Sequence, residues 1–242
     1  MSNKIVPKPI PCKERLIFAL DVSSSDEAKR LVNLFGDTIH FYKLGLELFM
    51  TGNYFALTEW LHEKGKKIFV DLKFFDVPET VSAAVRQLKD RHATFVTVHG
   101  NDSILRAAVK EKNGTKILAV TVLTSLDQKD IETFGFSCNI KDLVLSRARN
   151  ALEVGCDGVI SSGLEAPDIR EELGDKLIII TPGIRPVDNV ETDDQKRTVS
   201  VKEAFQSGAD YVVIGRPIRN APDPLTKAKE IQAEIASIFS NV

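Results

Sequence analysis

Short runs that are apolar on both faces, each followed by a segment with helical periodicity, recur eight times along this chain. Few folds accommodate such a pattern. The runs are Arg15–Asp21, His40–Leu44, Lys67–Lys73, Thr94–His99, Lys116–Val122, Gly158–Ser161, Lys176–Thr181 and Asp210–Ile214. They are rich in Val, Ile, Leu and Phe, as parallel strands covered on both sides must be. Between them, Ala28, Leu31, Val32 and Phe35 follow the i, i+3, i+4, i+7 rule of a helix that Ser25 can cap. Similar stripes fill Tyr54–Lys64, Thr80–Arg91, Ser103–Lys112, Asp142–Val154, Pro167–Leu173, Val201–Gln206 and Pro224–Ile238. Glycines stand as stop signals at Gly36, Gly65, Gly114, Gly155 and Gly208. Eight strand–helix units in about 225 residues predict an α/β chain closed into a single-domain (β/α)8, or TIM, barrel. An open doubly wound sheet is the alternative, but no Gly-x-Gly-x-x-Gly follows the first strand. Residues 1–11, with Pro7, Pro9 and Pro11, read as a flexible lead-in, and residues 12–242 as the barrel domain.

Composition narrows the partners. The formal charge is −2, from 32 basic and 34 acidic side chains spread along the chain, which leaves no footprint for nucleic acid or an anionic membrane. An anionic ligand would need a local basic site. Three scattered cysteines, Cys12, Cys138 and Cys156, form no Cys-x-x-Cys pair and suit a reducing compartment. With no export signal and no stretch approaching the roughly 18 apolar residues of a membrane span, the expectation is a cytoplasmic protein.

In such a barrel the chemistry sits at the C-terminal ends of the strands. The polar residues there are Asp21, Lys43, Asp71 with Lys73, His99, Thr124, Ser161 with Ser162, Thr181 and Arg216. Asp71 and Lys73 are two apart on one strand, so both face the barrel mouth. An ion pair that merely fills the mouth is the plain alternative, but burying charges without a task is expensive. With Lys43 and Asp21 they make an alternating Lys–Asp array in which each member holds the others charged. Asp76 follows the strand, and Pro78 with Thr80 opens the next helix. At the far end, Thr181-Pro182-Gly183-Ile184-Arg185-Pro186 and Val213-Ile214-Gly215-Arg216-Pro217 close the last two strands, where such barrels commonly bind phosphate. Gly215 allows close backbone approach, and Arg185 and Arg216 offer forked donors. The polar stretch Val187–Thr198 between them is long enough for a lid or a plain connector.

The run Asp71-Leu72-Lys73-Phe74-Phe75-Asp76-Val77-Pro78-Glu79-Thr80 resembles the Asp-x-Lys-x-x-Asp-Ile-Pro-x-Thr signature of the orotidine 5′-phosphate decarboxylase family. Leu20-Asp21, Tyr42-Lys43-Leu44-Gly45, Thr121-Val122-Leu123-Thr124-Ser125, the Thr181–Pro186 run, Asp194-Gln195-Lys196-Arg197 and Ile214-Gly215-Arg216-Pro217 follow in the family's order. The departures are small: Val77 replaces the usual Ile, and the Pro-rich start precedes the family core. The resemblance implies decarboxylation of orotidine 5′-phosphate to UMP, in de novo pyrimidine biosynthesis, without metal or organic cofactor. It implies Lys73 as proton donor, Asp71 facing the substrate carboxylate, and Lys43 holding the aspartates and a ribose hydroxyl. Asp21 would accept from a ribose hydroxyl, Thr124 or Ser125 would contact the pyrimidine, and Arg185, Gln195, Gly215 and Arg216 would grip phosphate. It also implies a homodimer in which Asp76 and Thr80 enter the neighbouring site.

Two rivals stand beside this reading. Related barrels that act on sugar phosphates keep an Asp-x-Lys-x-x-Asp run but bind magnesium, with a glutamate where this chain has Lys43. A cation at that position repels Mg2+. The other rival is a non-catalytic sensor of nucleotide phosphates, which the intact Asp71, Lys73 and Asp76 set argues against. His99 is a rival acid, or a histidine packed at the barrel rim.

Overall fold

The structure, a computed structural model, describes residues 8–185 and 197–240. Its elements run β1 (Leu16–Ala19), α1 (Ser25–Phe35), β2 (Phe41–Leu44), α2 (Leu46–Phe49), α3 (Tyr54–Glu63), β3 (Lys67–Phe74), α4 (Pro78–Arg86) and β4 (Ala93–His99). There follow α5 (Asp102–Lys110), β5 (Lys116–Val120), α6 (Gln128–Thr133), α7 (Ile140–Glu153), β6 (Gly158–Ile160) and α8 (Ala166–Leu173). Then come β7 (Ile178–Thr181), α9 (Val201–Gln206), β8 (Tyr211–Ile214), α10 (Arg216–Arg219) and α11 (Pro224–Phe239). All eight strands are parallel and pair in sequence order, and β8 closes onto β1. The expected (β/α)8 barrel is the observed fold, and the open doubly wound sheet is excluded.

Alternation along each strand divides the apolar residues between two cores. Leu16 and Phe18 of β1 face outward to the helices, where Phe18 meets Phe35 of α1 edge-on at 4.8 Å. Ile17 and Ala19 face inward. The inner core carries an aromatic cluster: Phe41 stacks on Phe95 at 5.1 Å, and Tyr211 meets Phe95 edge-on at 5.3 Å. All three are essentially buried. Each contributes about 1.5–3 kcal/mol of burial on a transfer scale, and together they close the barrel toward its N-terminal end. A cavity opens at the opposite end.

Several details differ from the sequence reading, among them the expected flexible lead-in, which is anchored from Lys8 onward. Ser24, not Ser25, caps α1: its side chain accepts the Glu27 N–H, and Ser25 is the first helical residue. The helix expected over Thr80–Arg91 starts at Pro78 and stops at Arg86; beyond it the amides of Leu88 and Lys89 donate three residues back, to the Val85 and Arg86 carbonyls, before Asp90 turns left-handed. The short helices α2, α6 and α10 are not read from the sequence; α2 and α10 are single turns of four residues, and α6 buries only Ile131, so no apolar stripe marks them. From Lys8 onward the segment before β1 is anchored under the barrel. Ile10 packs against the inner core, and Lys8 Nζ lies 3.2 Å from Asp210 and donates to the Leu177 carbonyl.

Candidate active site

A cavity of about 520 Å³ opens at the C-terminal ends of the strands. Its floor is apolar, with Ala19, Phe69, Val120, Ile160 and Val213, and its walls are polar. One wall is a chain of alternating charges. Lys43 Nζ donates to Asp21 Oδ1 at 3.0 Å and lies 3.4 Å from Asp71 Oδ2. Lys73 Nζ lies 3.0 Å from each carboxylate oxygen of Asp71. Gly45 lies close beneath this pair: a Cβ there would come within 3.2 Å of Asp21 Oδ1 and 3.3 Å of Lys43 Nζ, so a side chain would press on both charged groups.

The third strand positions Asp71 and Lys73 by alternation with Phe69, as expected, but with a distortion. Its pairing to β4 slips between Val70 and Phe74, and Lys73 sits at φ 49°, a left-handed conformation that costs a non-glycine residue energy. Thr97 holds this geometry. Its hydroxyl accepts the Lys73 backbone N–H at 2.9 Å and donates to Asp71 Oδ1 at 2.9 Å. Thr97 was missed from sequence, although a lone hydroxyl between Phe95 and His99 on the inward face of β4 was the available signal.

Burial alone would push the Asp71 carboxyl up. The Lys43 and Lys73 charges outweigh it, with hydrogen bonds from Lys73 and Thr97, and hold it below its ordinary value. The converse applies to Lys43: burial opposes its charge, but Asp71 and Asp21 raise it above the usual lysine range. At neutral pH both are ionised. His99 is pushed down by burial and by the Arg147 charge, and its ring lies 4.4 Å from that of Phe75. That environment keeps it neutral, as a packed rim histidine.

The rest of the cavity is lined by Thr124 and Ser125 after β5, Pro182, Gly183 and Arg185 after β7, and Gly215, Arg216 and Arg219 after β8. The structure therefore brings Asp21, Lys43, Asp71, Lys73, Thr124, Arg185, Gly215 and Arg216 into one cavity. Asp76 and Thr80 are exposed and do not line it; Asp76 accepts the Val77 N–H at the entry to α4. Gln195 lies outside the described residues. Glu47 and Arg219 join the rim from α2 and α10, the helices too short to read in sequence. Among the described residues, no three His, Cys, Asp or Glu side chains are grouped as a metal site requires, and no helix is long and apolar enough to cross a membrane.

A closed parallel barrel with an acid–base chain on one wall of its mouth and arginines after its last two strands defines a class: barrel enzymes that act on small phosphorylated molecules. Comparison with known proteins gives the family. Residues 14–231 match the Orotidine 5'-phosphate decarboxylase / HUMPS family, and the chain belongs to it. It is 58% identical over 240 residues to an orotidine 5'-phosphate decarboxylase of Methylococcus capsulatus, covering 99% of each chain. It is 47% identical over 238 residues to one of Xanthomonas axonopodis, covering 97% of this chain and 98% of the relative. Among solved structures, the orotidine 5'-phosphate decarboxylase of Lactobacillus acidophilus superposes with a TM-score of 0.80 at 33% identity, covering 92% of this chain and 99% of that one.

Proposed function

We propose that this chain is a carboxy-lyase that converts orotidine 5′-phosphate to UMP for pyrimidine biosynthesis, without metal or organic cofactor. The observation that carries the proposal is the ion-paired chain Asp21–Lys43–Asp71–Lys73 along one wall of the cavity, with Asp71 buried at its centre, in a protein so similar to named decarboxylases. Lysine at position 43 also separates this reading from the magnesium-dependent branch. Its ammonium already sits between the two carboxylates that a divalent ion would need.

Loss of carbon dioxide breaks one carbon–carbon bond and leaves its electron pair on a ring carbon. The Lys73 ammonium stabilises that charge and then delivers a proton to the carbon. Asp71 faces the leaving carboxylate. Two like charges about 4 Å apart repel by roughly 4 kcal/mol at an effective dielectric near 20, whereas enzymes lower barriers by about 8–23 kcal/mol. Repulsion is therefore the smaller effect, and electrostatic stabilisation by Lys73 the larger. Lys43 and Asp21 hold the ribose hydroxyls, Thr124 and Ser125 the pyrimidine, and Arg185, Gln195, Gly215 and Arg216 the phosphate, whose binding energy orders the site.

Asp76 and Thr80 act in the site of a second copy. Their exposure outside their own cavity, with Asp76 between the exposed Phe75 and Val77, supports that role. The test is the absorbance of orotidine 5′-phosphate incubated with chelator-treated protein. Steady loss with formation of UMP is expected; activity that EDTA abolishes and Mg2+ restores would favour the metal-dependent branch.

A further inference from the structure

Opposite the charged wall, a buried ion pair sits behind the residues that face the pyrimidine in the reading above. Arg197 and Glu165 are 7% and 5% exposed, and Arg197 Nη1 meets Glu165 Oε1 at 2.5 Å. The other guanidinium nitrogen, Nη2, donates to the Leu123 carbonyl at 3.0 Å and the Val122 carbonyl at 3.3 Å. Leu123 is followed directly by Thr124 and Ser125, and all three line the cavity. Arg197 itself does not line it. Two residues on, Val199 bridges to Ile184 and its carbonyl accepts the Arg185 N–H at 3.0 Å. This strut fits tightly against the turn before α8: a Cβ on Gly163 would come within 2.5 Å of Val199 Cγ2.

A buried ion pair is costly to desolvate and is weak evidence for stability by itself. This one is forked, and its second arm is spent on the backbone of a loop that lines the cavity. Glu165 fixes the guanidinium plane, and the guanidinium fixes the carbonyls of Val122 and Leu123. We infer that Arg197 and Glu165 are positioning residues for the pyrimidine: they act through the loop that carries Thr124 and Ser125, and so set recognition of the base and not of the phosphate. The inference rests on the proposed function for the identity of the ligand.

The conservative change Arg197→Lys keeps a cation beside Glu165, but one nitrogen cannot occupy both positions of the fork. Titrations of wild type and variant with UMP and with ribose 5-phosphate separate base from phosphate. For Arg197→Lys we expect UMP affinity to fall about tenfold, the loss of roughly one hydrogen bond's worth of binding, with ribose 5-phosphate affinity changed less than twofold. KM for orotidine 5′-phosphate should rise with the UMP constant. Glu165→Gln, which keeps the shape but frees the guanidinium to swing, should give the same pattern; it carries the test if the lysine variant does not fold. Equal losses for both ligands, or unchanged UMP binding in a folded variant, would overturn the inference. A wild-type protein that neither binds UMP nor consumes orotidine 5′-phosphate would instead overturn the proposed function.

Discussion

Lys73 is constrained three ways at once: a left-handed backbone, a threonine holding its amide and a carboxylate holding its ammonium. Lys73→Ala should remove nearly all decarboxylation while leaving UMP binding largely intact, because the residues proposed to grip phosphate, Arg185, Gly215 and Arg216, follow β7 and β8 and not β3. Turnover assays beside calorimetric titration check this; substantial residual turnover would remove Lys73 as proton donor. The carboxylate of Asp71 makes a separate pH prediction. Its folded pKa is depressed, so its contribution to stability is fully present above the unfolded value, near about 3.9, and is lost as pH falls through the folded value. Asp71→Asn should therefore be less stable than wild type by a constant margin from pH 7 down to about 5, and the margin should narrow below about pH 4. Denaturant melts at several pH values test it. The alternation of Asp71 and Lys73 was legible because strand geometry fixes which side chains share a face. Thr97 was not, because nothing in a sequence says that one strand's hydroxyl supports its neighbour's slipped register.

Among the secondary-structure elements, the eight strands were legible because two-sided burial leaves an unbroken apolar run. Helix ends were less so. Ser24 and Ser25 are both competent caps, and only the extended backbone at Ser24, φ −150° and ψ 152°, decides between them. Ser24→Ala should cost about 1 kcal/mol, within the 0.5–2 kcal/mol range of lost caps, whereas Ser25→Ala should not show a capping loss; thermal melts of both variants distinguish them. The short α10 begins at Arg216 and brings it to the cavity rim. Arg216→Ala should weaken binding of phosphorylated ligands by about 1.5–3 kcal/mol, a lost charge-assisted bond, and should barely affect uridine. Equal losses on UMP and uridine would show that Arg216 does not grip phosphate.

For the whole molecule, the proposed sharing of sites between two copies has an arithmetic consequence. Asp76→Asn and Lys73→Ala should each be inactive alone. When subunits exchange at random, half the dimers are mixed, and one site in each mixed dimer is intact. About a quarter of wild-type activity should then return, given two-fold pairing. If mass-tagged subunits exchange and no activity returns, Asp76 acts within its own chain. The rim of the barrel was the least legible part, since it is built from loops and helical stubs whose positions depend on the closed sheet beneath them.

The aromatic cluster of Phe41, Phe95 and Tyr211 has a consequence for traffic. With the lower barrel packed, the cavity among the described residues opens at the C-terminal ends of the strands, so what is made inside leaves on the side its precursor entered. Entry and exit cannot be separated in space, only in time. Product that lingers at the mouth therefore excludes the next molecule, and inhibition by product should be strictly competitive with substrate.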